Sequence, residues 1–218
     1  MIDMPENKAP EKTFYQMKML GIRDASGYLK SLSDTLSTVQ VTCMPTAAVM
    51  TLNDGINAVI FNYLFPLLFT FERLIIIGNG GSAAIAIHFL NDFVNASGIK
   101  TLDLFSPSLL TCIANDYGYE NVFAKPIEML ASPGDVLFAI SSSGKSPNIV
   151  RACELASAQK CNVITFSGFA PDNPLRKLGW LNFYVPSNHY GFVELSHQIL
   201  INCILDLFVS KKVYSPKT

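Results

Sequence analysis

Leu74-Ile75-Ile76-Ile77-Gly78-Asn79-Gly80-Gly81-Ser82-Ala83-Ala84 is an apolar run that breaks into small hydrogen-bonding residues and then continues in a helical pattern. The run is short and β-branched and the break carries the glycines of a tight turn, so the stretch reads as strand, turn and helix. Val136-Leu137-Phe138-Ala139-Ile140-Ser141-Ser142-Ser143-Gly144-Lys145-Ser146 repeats the pattern further along. In the first turn Gly78, Gly80 and Gly81 permit positive φ and close backbone approach, the next helix offers its N-terminal N–H groups, and Ser82 adds a hydroxyl. In the second, Ser141, Ser142, Ser143 and Ser146 surround Gly144, with Ser146 expected as N-cap and Pro147 at the first helical position. Two such turns closing on one anion point to a phosphorylated small molecule, held without a dedicated arginine.

Outward from these turns, β-rich runs alternate with helical patterns. Five strands are expected at Leu74–Ile77, Thr101–Phe105, Val136–Ile140, Asn162–Phe166 and Leu181–Val185. The helices between them fall near Ser82–Ala96, Ser108–Asn115, Val122–Ala131 and Pro147–Lys160, with a short piece at Leu175 and a last helix over Tyr190–Lys211. Alternation of this kind predicts an α/β fold: a five-stranded parallel sheet flanked by helices in three layers, flavodoxin-like, with ligands at the carboxyl ends of the strands. Residues 1–72 carry no strand pattern. They read as an N-terminal helical extension, with helices near Ala25–Val39 and Thr46–Phe71 suited to subunit contact, ahead of the α/β domain over residues 73–218.

Composition narrows the function classes. A 218-residue chain that is 50% hydrophobic can bury a sheet on both faces. Its net charge of −1 leaves no electrostatic footprint for nucleic acid or an anionic membrane, and neither partner is expected. Cys43, Cys112, Cys153, Cys161 and Cys203 are scattered and odd in number, which suits reduced thiols and a cytoplasmic location. The opening residues lack the pattern of a signal peptide. The apolar stretch Val59–Phe71 falls short of the roughly 20 residues that span a bilayer. Gly78-Asn79-Gly80-Gly81-Ser82-Ala83 also fits a dinucleotide fingerprint, but the acidic residue that motif needs after the second strand is met only by Asp103, inside an apolar run, and the serine turn has no part in that scheme. No nucleotide cofactor is expected.

Taken with His88, Ala114-Asn115-Asp116-Tyr117-Gly118-Tyr119, Gly134-Asp135 and Ser146-Pro147-Asn148, the two turns resemble those of the sugar isomerase (SIS) domain family, and within it the phosphoheptose isomerases. The resemblance implies a homotetramer in the cytoplasm, with zinc as a possible cofactor, converting sedoheptulose 7-phosphate to glycero-manno-heptose 7-phosphate for lipopolysaccharide or capsule synthesis. It places the phosphate on Ser141, Ser142, Ser143 and Ser146, with Asn79, Gly80, Gly81 and Ser82 beside the sugar. Such an isomerisation moves a proton between C1 and C2 through an enediol and requires a base near those carbons.

By the same resemblance the base lies four residues after a histidine, where His88 is followed by Asp92; that spacing puts both side chains on one helical face. The family's glutamine and histidine of the last helix fall on Glu194 and Asn202, its aspartate after the second strand on Ser106, and an acidic residue before the last helix on Gly191. Asn202 transfers no protons, so the catalytic set expected here is Asp92, Glu194 and His197, and the candidate metal ligands are His88, Asp92 and Glu194. His189 reads as a surface loop residue. The phosphate cradle is intact while the reactive end is altered, and the alternative to an isomerase is a non-catalytic SIS module that binds a sugar phosphate or a protein partner.

Overall fold

The computed structural model describes residues 21–44, 48–51 and 56–214. The elements run α1 (Ala25–Ser37), β1 (Gln40–Cys43), β2 (Ala48–Thr51), α2 (Ile56–Thr70), β3 (Leu74–Gly78), α3 (Gly81–Asp92), β4 (Thr101–Leu102) and α4 (Pro107–Tyr117). They continue with α5 (Ala124–Leu130), β5 (Val136–Ser141), α6 (Pro147–Ala158), β6 (Asn162–Ser167), β7 (Leu181–Tyr184) and α7 (Tyr190–Tyr214). The five expected strands are present, with β4 shortened because Asp103 Oδ1 accepts from Phe105 N at 2.8 Å and turns the chain.

The sheet has seven strands, not five, in the order β2-β1-β7-β6-β5-β3-β4, and it is mixed. β3 to β7 pair in parallel, whereas β1 pairs antiparallel with both β7 and β2. The N-terminal extension is therefore not wholly helical. β1 lays Val41 opposite Phe183 and Cys43 opposite Leu181, and so covers the backbone edge that β7 would otherwise expose. Four residues with only two buried positions make a pattern too short to register against the helical ones around it. The polar start of the chain and residues 45–47 and 52–55, on which part of the expected helices falls, lie outside the described residues.

The parallel strands are buried on both faces, so their sequences read as continuous apolar runs. Leu74 and Ile76 of β3 join Phe138, Ile140, Ile164 and Phe166 in one core with α2, α3 and α7. Ile75 and Ile77 join Leu137, Ala139 and Val163 in a second core with α5 and α6. α7 is apolar and long enough to cross a bilayer by length and composition, and half of that apolar window is buried within the fold. Behind the sheet Asp135, fully buried, accepts from both Arg73 Nη2 (2.7 Å) and Ser132 N (2.8 Å), tying the start of β3 to the start of β5.

This strand order settles where a ligand can sit. From β3 the chain moves outward to β4, then returns to lay β5 on the other side of β3. The carboxyl ends of β3 and β5 flank the point where the order reverses, the position at which open α/β sheets form their crevice.

Candidate active site

Both polar turns open on that crevice. Asn79, Gly80, Gly81 and Ser82 from the first and Ser141, Ser142, Ser143 and Ser146 from the second line one cleft of about 260 Å³, closed by Tyr190 and Glu194 of α7. No lysine or arginine lines it. The glycines divide the labour. In the first turn only Gly80 takes positive φ, at 54°, and it turns the chain into α3. A Cβ on Gly78 would lie 2.5 Å from Ser82 O, and one on Gly81 2.5 Å from Glu194 Oε2, so these two are required for close approach.

The serine turn is held by the segment after β6, where Gly168 N donates to Ser142 O (3.0 Å) and Leu175 N to Gly144 O (3.2 Å). Asn173, fully buried, donates from Nδ2 towards Ser167 Oγ (3.2 Å), Gly168 O (3.1 Å) and Ala170 O (2.9 Å), and its Oδ1 accepts from Arg176 N. Ser146 does not cap α6 through its side chain; its Oγ lies 3.3 Å from Ser141 Oγ at the cleft. Ser143 Oγ accepts from Lys145 N at 3.2 Å. Ser142 is buried, and its Oγ has no hydrogen-bond partner. An orphaned buried hydroxyl at the wall of a cleft is a donor waiting for an acceptor, because burial without one costs about 1–3 kcal/mol.

Glu194 stands at the junction of this cleft with a second of about 280 Å³, lined by Gly81, Ala84, Ile85, His88, Gly191, Leu195 and Gln198. Burial raises the pKa of its carboxyl. His88 enters the second cleft, and its Nε2 meets Asp92 Oδ2 at 3.2 Å, the one-turn pairing expected from their spacing. Asp92 lines neither cleft. Asn202, which the resemblance aligns with the family's histidine, lies one turn beyond Gln198 in a neighbouring groove and donates from Nδ2 to Asp206 Oδ2 at 3.3 Å.

His197 is placed away from the chemistry expected of it. It is fully buried against Phe166, its Nε2 bonds Ser167 O at 3.1 Å, and it lines neither cleft, so it supports the end of β6 rather than touching a ligand. His189 is not a surface residue: it is buried and its Nδ1 accepts from Phe192 N at 3.3 Å, capping α7. Burial holds the His197 imidazole down at about 4, below a histidine's ordinary 6.5. The unfolded chain therefore takes up this proton before the folded one. Stability is complete above pH 6.5 and falls as the pH drops towards 4, by up to about 3 kcal/mol. Urea unfolding at pH 7 and pH 4.5 should show that loss, and His197→Gln should flatten it.

Among the described residues no three His, Cys, Asp or Glu side chains converge on a point that could hold one cation. His88 Nε2 is engaged by Asp92 and of the three only Glu194 faces the cleft of the two turns, so the expected set His88, Asp92 and Glu194 is not assembled for zinc within the chain.

Three residues at the site had no assigned role from sequence: Tyr190, Gln198 and Asn148. Asn148 carried a signal, since it follows Ser146-Pro147 in the first turn of α6, but its partner is remote in the chain. Its side-chain amide pairs with that of Asn79, 2.9 Å in each direction.

The SIS domain family model matches residues 46–168. The chain is 36% identical over 142 residues to the phosphoheptose isomerase of Trichlorobacter lovleyi, covering 62% of this chain and 72% of that one. It superposes on the phosphoheptose isomerase structure from Neisseria gonorrhoeae with a TM-score of 0.62 at 31% identity, over 67% of this chain and 81% of that one. The Francisella tularensis phosphoheptose isomerase structure, at 22% identity, shares the fold over 85% of this chain and 96% of its own, with a TM-score of 0.70. The paired turns sit at one switch point of the sheet and the family match spans more than half the chain; this chain belongs to the SIS domain family and is similar to its phosphoheptose isomerases.

Proposed function

We propose that the cleft holds the phosphate of a phosphosugar and that the chain interconverts its ketose and aldose forms, with sedoheptulose 7-phosphate and glycero-manno-heptose 7-phosphate as the pair. The observation that carries this reading is the composition of the cleft: hydroxyls and backbone from two turns, one of them the orphaned Ser142 Oγ, facing a half-buried carboxylate with no cation between them. The hydroxyls and the N-terminus of α3 suit a phosphate. Glu194 suits the reacting carbons.

In the proposed reaction the Glu194 carboxylate takes the proton from C1 of the ketose while the C2 carbonyl oxygen is protonated, which leaves an enediol. Return of the carbon-bound proton to C2, with loss of the proton on O1, yields the aldose. The base is assigned to Glu194 instead of Asp92 because the Asp92 carboxylate is turned to His88 Nε2 at 3.2 Å and lies outside the phosphate cleft. His88, which lines the adjoining cleft, acts on the substrate's oxygens, with Asp92 behind it orienting the imidazole. A homotetramer is part of the proposal. Ile87 and Val94, on and just beyond α3, and Leu195 and Ile199 on α7 are exposed apolar side chains, and they favour subunit association beside the site.

The test is turnover in deuterated water. With sedoheptulose 7-phosphate the protein should form the aldose and place deuterium at C2. Saturable binding with neither product nor label points to the binding module instead. Ser142→Ala should weaken phosphosugar affinity by about tenfold, the loss of one hydrogen bond to a charged acceptor, read by calorimetry, with kcat changed less than KM.

A further inference from the structure

Asn79 lines the cleft, but its own sequence does not decide which end of its amide faces a ligand. An amide that presents oxygen to a phosphorylated sugar repels the phosphate; one that presents N–H binds it. The two ends differ by a half-turn of the side chain, so something outside Asn79 must choose.

The choice is traceable to a backbone donor. Ile149 N–H can only donate, and it is shared between Ser146 O and Asn148 Oδ1, each at 3.1 Å, so the Asn148 atom facing it is the oxygen. That fixes the oxygen end of the Asn148 amide, whose side chain is almost wholly buried. Asn148 Nδ2 must then be the donor to Asn79 Oδ1, and Asn79 Nδ2 the donor to Asn148 Oδ1, both at 2.9 Å. Tyr119 Oη approaches the same Asn79 Oδ1 at 3.3 Å. With Oδ1 engaged on two sides and one Nδ2 hydrogen directed at Asn148, the second Nδ2 hydrogen is the Asn79 side-chain donor left for a ligand.

We infer that Asn148, with Tyr119 in support, is a positioning residue that locks the Asn79 amide as a hydrogen-bond donor into the phosphosugar cleft. Asn148 touches no ligand in this scheme; it acts through Asn79. It also fastens the glycine turn after β3 to the helix that follows the serine turn, so the two halves of the cradle keep one spacing. The inference rests on the phosphosugar reading for its ligand and on hydrogen-bond polarity alone for the lock.

A double-mutant cycle tests it, with sedoheptulose 7-phosphate binding followed by calorimetry. Asn79→Ala should weaken binding by about tenfold and Asn148→Ala by about fivefold, the range expected for one well-placed hydrogen bond. The double variant should be no weaker than Asn79→Ala, because a residue that acts through Asn79 has nothing left to position. Asn148→Ser, a small polar residue suited to a first helical turn, serves if the alanine variant does not fold. Full additivity, or wild-type affinity in the Asn148 variants, overturns the inference. A second readout needs no ligand. In the free protein the Asn79 side-chain amide signals in a nitrogen–proton spectrum should shift and exchange several-fold faster in Asn148→Ala or Asn148→Ser, and unchanged signals overturn the lock. If the wild-type protein binds no sugar phosphate while those signals respond, the proposed function has failed and the lock has not.

Discussion

Glu194→Gln is expected to lower turnover of the sugar phosphate by about 10²- to 10³-fold, the usual contribution of a positioned general base, while substrate affinity stays within a few-fold. The expectation follows from where the carboxylate is held. Glu194 reaches over α3 so closely that Gly81 has no room for a Cβ, and it is the acidic residue of the phosphate cleft. The glutamine amide keeps the size and shape of this wall but cannot accept a proton from carbon. Burial has already raised the carboxyl pKa above its ordinary range, which makes the ionised form a stronger base near neutral pH. The sign is definite: a base must be ionised to act, so the wild-type rate climbs with pH through that raised pKa, and the acid limb disappears in the residual activity of the glutamine variant. Steady-state kinetics across pH checks both points. Full turnover in Glu194→Gln would move the base to Asp92, whose replacement by Asn is otherwise expected to have the smaller effect.

Gly144→Ala is expected to destabilise the chain by about 4 kcal/mol and to abolish phosphosugar binding. Gly144 has φ of 61°, which costs a residue with a Cβ roughly 1–2 kcal/mol. The greater penalty is steric. The added Cβ would fall on Asn173 Oδ1 and lie 2.9 Å from Asn173 Cβ, and Asn173 is the buried residue whose hydrogen bonds to Ser167, Gly168 and Ala170 shape the segment that bonds the serine turn through Gly168 N and Leu175 N. Displacing it leaves buried donors and acceptors unpaired, at about 1 kcal/mol or more each. For a domain of this size the melting temperature should fall by roughly 10 °C. Thermal unfolding followed by circular dichroism measures that fall, and calorimetry with the sugar phosphate measures the loss of the cradle. A variant with wild-type stability would mean that Asn173 can move without penalty.

Much of this was legible along the chain. The five parallel strands and their crossover helices follow from local pattern: apolar runs buried on both faces, each ended by a turn of small residues. The two turns that line the cleft were legible for the same reason, since Gly78 to Ser82 and Ser141 to Ser146 each lie within a few residues of a strand end. The hairpin of β1 and β2 was not, because two four-residue strands acquire their meaning only from the β7 edge on which β1 lies, with β2 beyond it. Ser146 was expected to cap α6 and instead turns its hydroxyl to Ser141, a choice made by a neighbour from the preceding strand.

The residues of the last helix show most clearly where local reasoning stops. Glu194 and His197 lie three positions apart and share a helical face in sequence, yet one borders the cleft and the other is sealed against β6. Which side of α7 meets solvent depends on how the helix packs over α3 and the sheet, and no periodicity records that. The sequence by itself determined the α/β pattern and the two turns that can close on an anion, because strand, turn and helix propensities act over a few neighbouring residues. Only the tertiary structure decided that the turns meet at one switch point, that Glu194 joins them while His197 does not, and that Asn148 sets the face of Asn79, because each of these is a contact between residues far apart in the chain.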